Sequence, residues 1–295
     1  MTDRIALAEL NAMEKAPFVA AIGDVFEHAD WVAEAAFRSR PFATVAALHA
    51  AMFEAVQAAP AETQLTFIRN HPELGGKVAK AGDLTEASKA EQGSLGLDRL
   101  SGDEYSRFEA LNSAYKEKFG FPFVICVRRH TRDSVLAQFE RRLAHRLDEE
   151  RKTALNEIGF ITRLRLVAKV EGPGAPKTDG RLSTHVLDNV TGKPARGVEI
   201  KLLEIGKSAS GLLVETVTNS DGRTDSPLLS GAPLRIGTYE LHFFVGGYFK
   251  AKAIATSEPP FLTEVPIRFS IAEPEGHYHV PLLITPWSYS TYRGS

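Results

Sequence analysis

"EGPGAPKTDG", Glu171 to Gly180, is the stretch on which the fold turns, because the apolar residues follow different periods on its two sides. Glycines and prolines spread through it break any helix or strand pattern, so it reads as a linker. On its N-terminal side the apolar residues recur at three and four. In "FVAAIGDVFEHADWVAEAAF" they place Phe18, Ile22, Val25, Phe26 and Ala29 on one stripe, which is helical spacing. "FATVAALHAAMFEAVQAA", "SGDEYSRFEALNSAYKEKF" and "RDSVLAQFERRLAHRLDEERKTALNEIGFITRLRL" repeat the pattern. On the C-terminal side the period is two. "VEIKLLEI" alternates Val198, Ile200 and Leu202 with Glu199 and Lys201, and "GTYELHFFV", "TEVPIRFSI" and "HYHVPLLI" follow between turn signals such as "NSDGRTD". The expected organisation is an all-helical domain over residues 1–168, a linker over 169–180, and an all-β antiparallel sandwich over 181–295.

Composition narrows the partners. A formal charge of −2 gives no basic field for nucleic acid, and no apolar run is long enough to span a membrane. Cys126 is the single cysteine and sits in the apolar run "FPFVICV", so it reads as a buried thiol that forms no internal disulfide. A small-molecule ligand and a cytoplasmic location are the expectations.

In an extended "HYHV", His277 and His279 share a face about 7 Å apart, with Tyr278 on the other. A metal site there would need a third ligand such as His185 or His242, and no spacing selects one, so no metal is expected. "LSTHVLDNVTGKPARGV", "TNSDGRTD" and the terminal "HYHVPLLITPWSYSTYRGS" together resemble 5-hydroxyisourate hydrolase of the transthyretin-like family. The ending Tyr292-Arg293-Gly294-Ser295 is the most specific part of the match. The resemblance implies a catalytic set of His185, Arg223, His279 and Ser295, a substrate-binding Tyr292, and a homotetramer in which Ser295 and Tyr292 reach into a channel between dimers. Histidine suits the chemistry, because ring opening needs one group to take a proton from water and return one to the leaving nitrogen. Arg223 would hold the oxygen-rich anion. His277 is expected as a neighbour of the site.

In the helical half, "NHPELGGK" places His71 directly before Pro72, which pushes His71 out of helical geometry into an extended or turn conformation on a stiff loop. In "SKAEQ", Ser88 precedes Glu91 by three, the spacing of a capping box. "EIGFITRLRL" puts Arg165 on one face with Ile158 and Ile161, and an arginine on an apolar stripe needs an anionic partner from the protein or from a ligand. By period alone "FPFVICV" reads as a buried strand. With "LNSAYKEKFGFPFVICV", these motifs resemble 2-oxo-4-hydroxy-4-carboxy-5-ureidoimidazoline (OHCU) decarboxylase, a helical, dimeric family without cofactors. The resemblance implies a catalytic His71, Glu91 and Arg165 and a substrate pocket that includes Pro72, Gln92 and the segment Phe119, Gly120, Phe121, Pro122 and Phe123. It also turns "FPFVICV" into a loop leading to a helix. Leu95 and Arg129 depart from the usual motif, where alanine and glycine stand.

The two resemblances concern consecutive steps, so a bifunctional, cofactor-free, homo-oligomeric enzyme of urate breakdown is expected. Two rivals from other classes are a transthyretin-like carrier without catalysis and a metal-dependent cyclic amidohydrolase.

Overall fold

The computed structural model describes residues 4–74, 86–93, 102–207 and 210–294; the side chains at 86, 87 and 92 lie outside the description. The chain divides into two compact units, Met1–Arg128 with Val135–Thr178, and Arg129–Ser134 with Asp179–Ser295.

The first unit is built from helices α1 (Leu7–Ala12), α2 (Lys15–Ile22), α3 (Asp30–Ala36), α4 (Val45–Ala58), α5 (Ala61–Arg69), α6 (Glu86–Gly93), α7 (Gly102–Phe119), α8 (Arg132–Arg142) from Val135 onward, and α9 (Leu147–Lys169). Thr44 caps α4 by accepting a hydrogen bond from the Ala47 amide at 3.0 Å. The stripe Phe18, Ile22, Val25, Phe26 and Ala29 is buried throughout, but it does not lie on one helix. After α2 the chain makes a 3-10 turn over Gly23–Val25, and His28 takes a positive φ of 58° before α3 starts. Two strands of two residues, β1 (Ile5–Ala6) and β2 (Val170–Glu171), pair in parallel. Regular structure thus continues past α9 into the segment that composition marks as a linker.

"FPFVICV" is buried, as its apolar character demands, yet forms no strand: irregular backbone runs into a 3-10 turn at Val127–Arg129 and then α8. Side chains do what a neighbouring strand would do. The Cys126 amide donates to Glu157 at 2.9 Å, and Arg142 Nη1 donates to the Val124 carbonyl at 2.8 Å. The Cys126 thiol is buried.

The second unit is a two-sheet sandwich formed by β3 (Arg181–Asp188), β4 (Lys193–Pro194), β5 (Glu199–Ile205), β6 (Ser210–Val217), β7 (Gly237–Phe244), β8 (Val265–Ile271), β9 (His277–Thr285) and β10 (Ser288–Thr291). One sheet has the order β10-β9-β3-β4 and the other β6-β5-β7-β8. Val198, Ile200 and Leu202 are completely buried between them, as the alternation requires. Two features depart from an all-β antiparallel sandwich. A helix, α10 (Val245–Ala251), follows β7, and β3 pairs with β9 in parallel. The parallel pairing follows from chain order, since β9 returns to β3 only after the whole second sheet and can enter in the same direction. Arg129 belongs to this unit: its carbonyl accepts from the Ile236 amide at 2.8 Å, and its guanidinium pairs with Glu275 at 2.7 Å.

Candidate functional sites

Alternation along β3 and β9 builds the first site. Leu182, Thr184 and Val186 point into the sandwich, which leaves Arg181, Ser183 and His185 on the outer face. On β9, Tyr278 and Val280 point inward and His277 and His279 outward. The parallel register sets Arg181 opposite His277 and Ser183 opposite His279, so both histidines join the β3 residues on one surface. The "NSDGRTD" turn then crosses this face. Gly222, with φ +69°, accepts at its carbonyl a hydrogen bond from the Val186 amide at 2.8 Å, and Arg223 bridges to His185. A Cβ at Gly222 would lie 2.3 Å from the Val186 carbonyl, so only glycine lets the turn approach the strand this closely. The resulting pocket includes Arg181, Ser183, Arg223, Asp225, His277 and His279 in its walls.

Both inner histidines are held below the ordinary imidazole value. For His279 the causes are burial, then the Arg223 charge, then His185 and His277; for His185 they are burial and Arg223, opposed by a hydrogen bond to the Asp221 backbone. Nε2 of His185 is buried with no hydrogen-bond partner among the described residues. Among those residues no group of three or more His, Cys, Asp or Glu side chains could hold a metal ion. The tail is pinned to the site, with the Gly294 amide donating to the His279 carbonyl at 2.8 Å. Tyr292 is exposed, and Ser295 lies outside the described residues.

The second site lies in the helical unit. His71 follows the end of α5, its amide donating to the Ile68 carbonyl at 3.1 Å. Its Nδ1 is 3.1 Å from the Phe67 carbonyl, which can only accept; Nδ1 therefore carries the proton and Nε2 presents a lone pair. Burial is the main cause that lowers its pKa to about 4, so the ring is neutral at pH 7. The partner that Arg165 requires comes from the protein. Glu91 accepts from Arg165 Nε at 3.0 Å and from Nη2 at 2.8 Å, while Glu27 accepts from Nη1 at 3.2 Å. Ser88 does not cap α6: it lies inside the helix, donates to Glu27 at 2.8 Å and accepts from Arg165 at 3.2 Å.

His71, Pro72, Glu27, Ser88, Glu91 and Arg165 share one pocket, closed on its apolar side by Phe123, Val124, Ile125, Val127 and Ile161. Of the expected aromatic segment only Phe123 is in that wall. Phe119 and Phe121 turn away to pack on Tyr115, with ring centroids 4.7 and 6.0 Å from it. Gly120 between them takes φ +74°, and Pro122 is buried outside the pocket wall. The Gln92 side chain lies outside the described residues. Glu27 was invisible as a site residue, although a carboxylate within the apolar stripe of "DVFEHADW" raises the same question of a buried partner as Arg165 does.

These two sites, one on a strand face and one enclosed by helices, define a two-domain enzyme architecture with separate histidine-based centres. Residues 11–167 match the family model for OHCU decarboxylase, and residues 182–294 match that for the HIUase/transthyretin family; the chain belongs to both families through these two parts. The 2-oxo-4-hydroxy-4-carboxy-5-ureidoimidazoline decarboxylase of Haloferax volcanii is 43% identical over 165 residues, 56% of this chain and 96% of that protein. The 5-hydroxyisourate hydrolase of Deinococcus radiodurans is 54% identical over 114 residues, 39% of this chain and 95% of its own. A crystal structure of (S)-allantoin synthase aligns with 99% of this chain and 100% of its own at 35% identity, with a TM-score of 0.54.

Proposed function

We propose that this protein is a bifunctional enzyme of urate degradation: the domain at 181–295 hydrolyses 5-hydroxyisourate to OHCU, and the domain at 1–168 decarboxylates OHCU to (S)-allantoin. The observation that carries the reading is that each matched catalytic set converges, His185, Arg223 and His279 on one strand face and His71, Glu91 and Arg165 in one pocket. It favours an enzyme over a binding protein, since a carrier has no use for such a cluster of inner histidines held neutral.

In the hydrolase site, neutral His279 takes a proton from water as the oxygen attacks the ring carbonyl. Arg223 stabilises the charge that develops on the carbonyl oxygen, and the leaving ring nitrogen receives a proton in return for the one that water gave up, with neutral His185 hydrogen-bonded to it. In the decarboxylase site, the electron pair left by carbon dioxide is delocalised into the substrate's own ring, so no cofactor is needed. His71 Nε2 accepts the substrate hydroxyl proton, so that the vacated carbon becomes a carbonyl, and returns it to one face of the adjacent ureido-bearing carbon, which sets the handedness, while the ring nitrogen that received the electron pair takes a proton from solvent. The guanidinium of Arg165 is already neutralised by Glu27 and Glu91. It gives a substrate carboxylate little extra stabilisation, whereas uncharged carbon dioxide escapes the carboxylate repulsion.

We also propose a homo-oligomer. Leu212 and Val217 on the edge strand β6, and Tyr289 on the edge strand β10, expose apolar surface that a second copy would cover. Light scattering on the purified protein tests it. Among the described residues no helix is long and apolar enough to cross a membrane, and a cytoplasmic location accords with a lone buried cysteine.

The decisive experiment supplies fresh 5-hydroxyisourate and follows circular dichroism at short wavelength. Appearance of (S)-allantoin supports the reading, and only slow racemic product overturns it. His279→Ala should abolish ring opening and spare decarboxylation of supplied OHCU, with His71→Ala doing the reverse. Retained hydrolysis after exhaustive chelation excludes the metal-dependent alternative.

A further inference from the structure

Ser183 takes no part in the hydrolase steps, yet its side chain touches both histidines of β9. Its Oγ lies 3.0 Å from His279 Nδ1 and 3.3 Å from His277 Nε2. The register of the β3–β9 pair fixes this, because Ser183 stands directly opposite His279 and one outward position from Arg181, which faces His277. A serine hydroxyl has one proton and two lone pairs. Between two ring nitrogens it donates to one and accepts from the other, so the two imidazoles are locked into complementary roles. When His279 Nδ1–H donates to Oγ, Oγ–H donates to His277 Nε2, and His279 presents the Nε2 lone pair that a base needs.

We propose that Ser183 is a proton-relay and positioning residue that couples His279 to His277 in the hydrolase reaction. The inference rests on the assignment of hydrolysis to this face. The water O–H bond breaks while an N–H bond forms at His279 Nε2. His279 Nδ1–H passes its proton to Ser183 Oγ while the Oγ–H proton moves to His277 Nε2. His279 ends neutral, His277 ends as the imidazolium, and Ser183 keeps one proton throughout.

The surroundings give the transfer its direction. On β3 the charged or titratable neighbours are Arg181 and His185, on β9 His277, and on the crossing turn Arg223 and Asp225. From the tail, Arg293 turns aside onto the Tyr278 ring at 4.7 Å. Positive charge on His279 is therefore opposed by Arg223 close by, whereas His277 is exposed and can pass its proton to solvent. The Gly294 backbone lies against the Cδ2 edge of the His279 ring, so the ring is held from both sides with Nδ1 toward Ser183.

The test measures loss of fresh 5-hydroxyisourate by the full-length protein, with decarboxylation of supplied OHCU as the control for folding. Ser183→Ala should lower kcat about 100-fold with KM within about twofold, since a proton-transfer path is lost while binding groups remain. Ser183→Thr keeps the hydroxyl and should recover most of the rate. His277→Asn should fall as Ser183→Ala does, and the double variant should fall no further, because both cuts sever one path. The acid limb of the kcat–pH profile should move in Ser183→Ala and return in Ser183→Thr, which a packing role would not produce. The relay is overturned if Ser183→Ala keeps kcat within about twofold of the unmodified protein, or if the double variant loses the product of the single losses. An unmodified protein that fails to hydrolyse 5-hydroxyisourate overturns the functional reading itself, and the relay with it.

Discussion

Gly294 lies so close to His279 that a Cβ on the glycine would stand 2.7 Å from the ring Cδ2 and 3.2 Å from the histidine Cβ. Even the smallest side chain must push the imidazole off its position or lift the tail from β9. Gly294→Ala should therefore lower hydrolysis by about 10-fold to 100-fold, the scale of a displaced supporting contact, and leave decarboxylation unchanged. Parallel assays of the two activities check this; equal loss of both would contradict it.

Arg165 ties Glu91 and Glu27 together in a site where all three are largely buried. Arg165→Ala leaves two carboxylates without their cation, and breaking a buried pair in this way costs about 3–5 kcal/mol. Arg165→Lys keeps the charge but cannot hold Glu91 through two parallel bonds, so it should retain more stability while decarboxylation falls sharply. Urea unfolding followed with both activities separates the two effects.

Burial lowers the pKa of both His71 and His49 from 6.5 to about 4. Between those values the unfolded chain binds more protons than the folded one, so their contribution to stability is full above about pH 6.5 and declines as the pH falls toward 4. His49, whose Nε2 is 3.0 Å from Thr162 Oγ1, is outside the pocket wall. His49→Gln should reduce the acid sensitivity of thermal unfolding without a large change in decarboxylation at pH 7. Because His71 stays neutral down to low pH, the rate of decarboxylation should show no limb near 6.5 arising from it.

A buried network stands behind the decarboxylase pocket. Arg142 and Glu150 form a fully buried ion pair, Tyr115 donates to Glu150, and His145 Nδ1 lies 2.7 Å from the same carboxylate. Arg142 also holds the Val124 carbonyl at 2.8 Å and lies over the Phe123 ring at 4.3 Å, and both residues are in the pocket wall. Arg142→Met should destabilise the helical unit by about 3–5 kcal/mol, and the double variant with Glu150→Leu should recover part of that loss. Denaturant unfolding of both variants measures it.

The sequence revealed most where a local rule was decisive. The switch of period across Glu171–Gly180 separates helices from strands, and alternation put His277 and His279 on one face with Tyr278 behind. The need of Arg165 for an anion was also legible, but its supplier was not, because Glu27 and Glu91 are brought to it by packing across large sequence separations. For the same reason, the pairing of β3 with β9, the helix α10 and the bridging position of Ser183 left no local mark. "FPFVICV" shows the opposite failure, since its apolar content and β-branched residues favour a strand that Glu157 and Arg142 make unnecessary. The Phe119–Phe123 segment divides similarly: aromatic character alone does not distinguish the wall of a pocket from the core behind it.

The pairing of Ser183 with His279 spans 96 residues and joins the first long strand of the sandwich to the last. The histidine face therefore depends on a contact that closes one of the longest loops in the domain, a slow event in folding. During synthesis, β3 emerges with His185 in place but waits for the rest of the sandwich before the histidines of β9 join it. A nascent or truncated chain lacking β9 can complete its helical unit and still have no hydrolase centre. The topology thus makes ring opening the later of the two activities to mature, even though its product is what the earlier-made domain consumes.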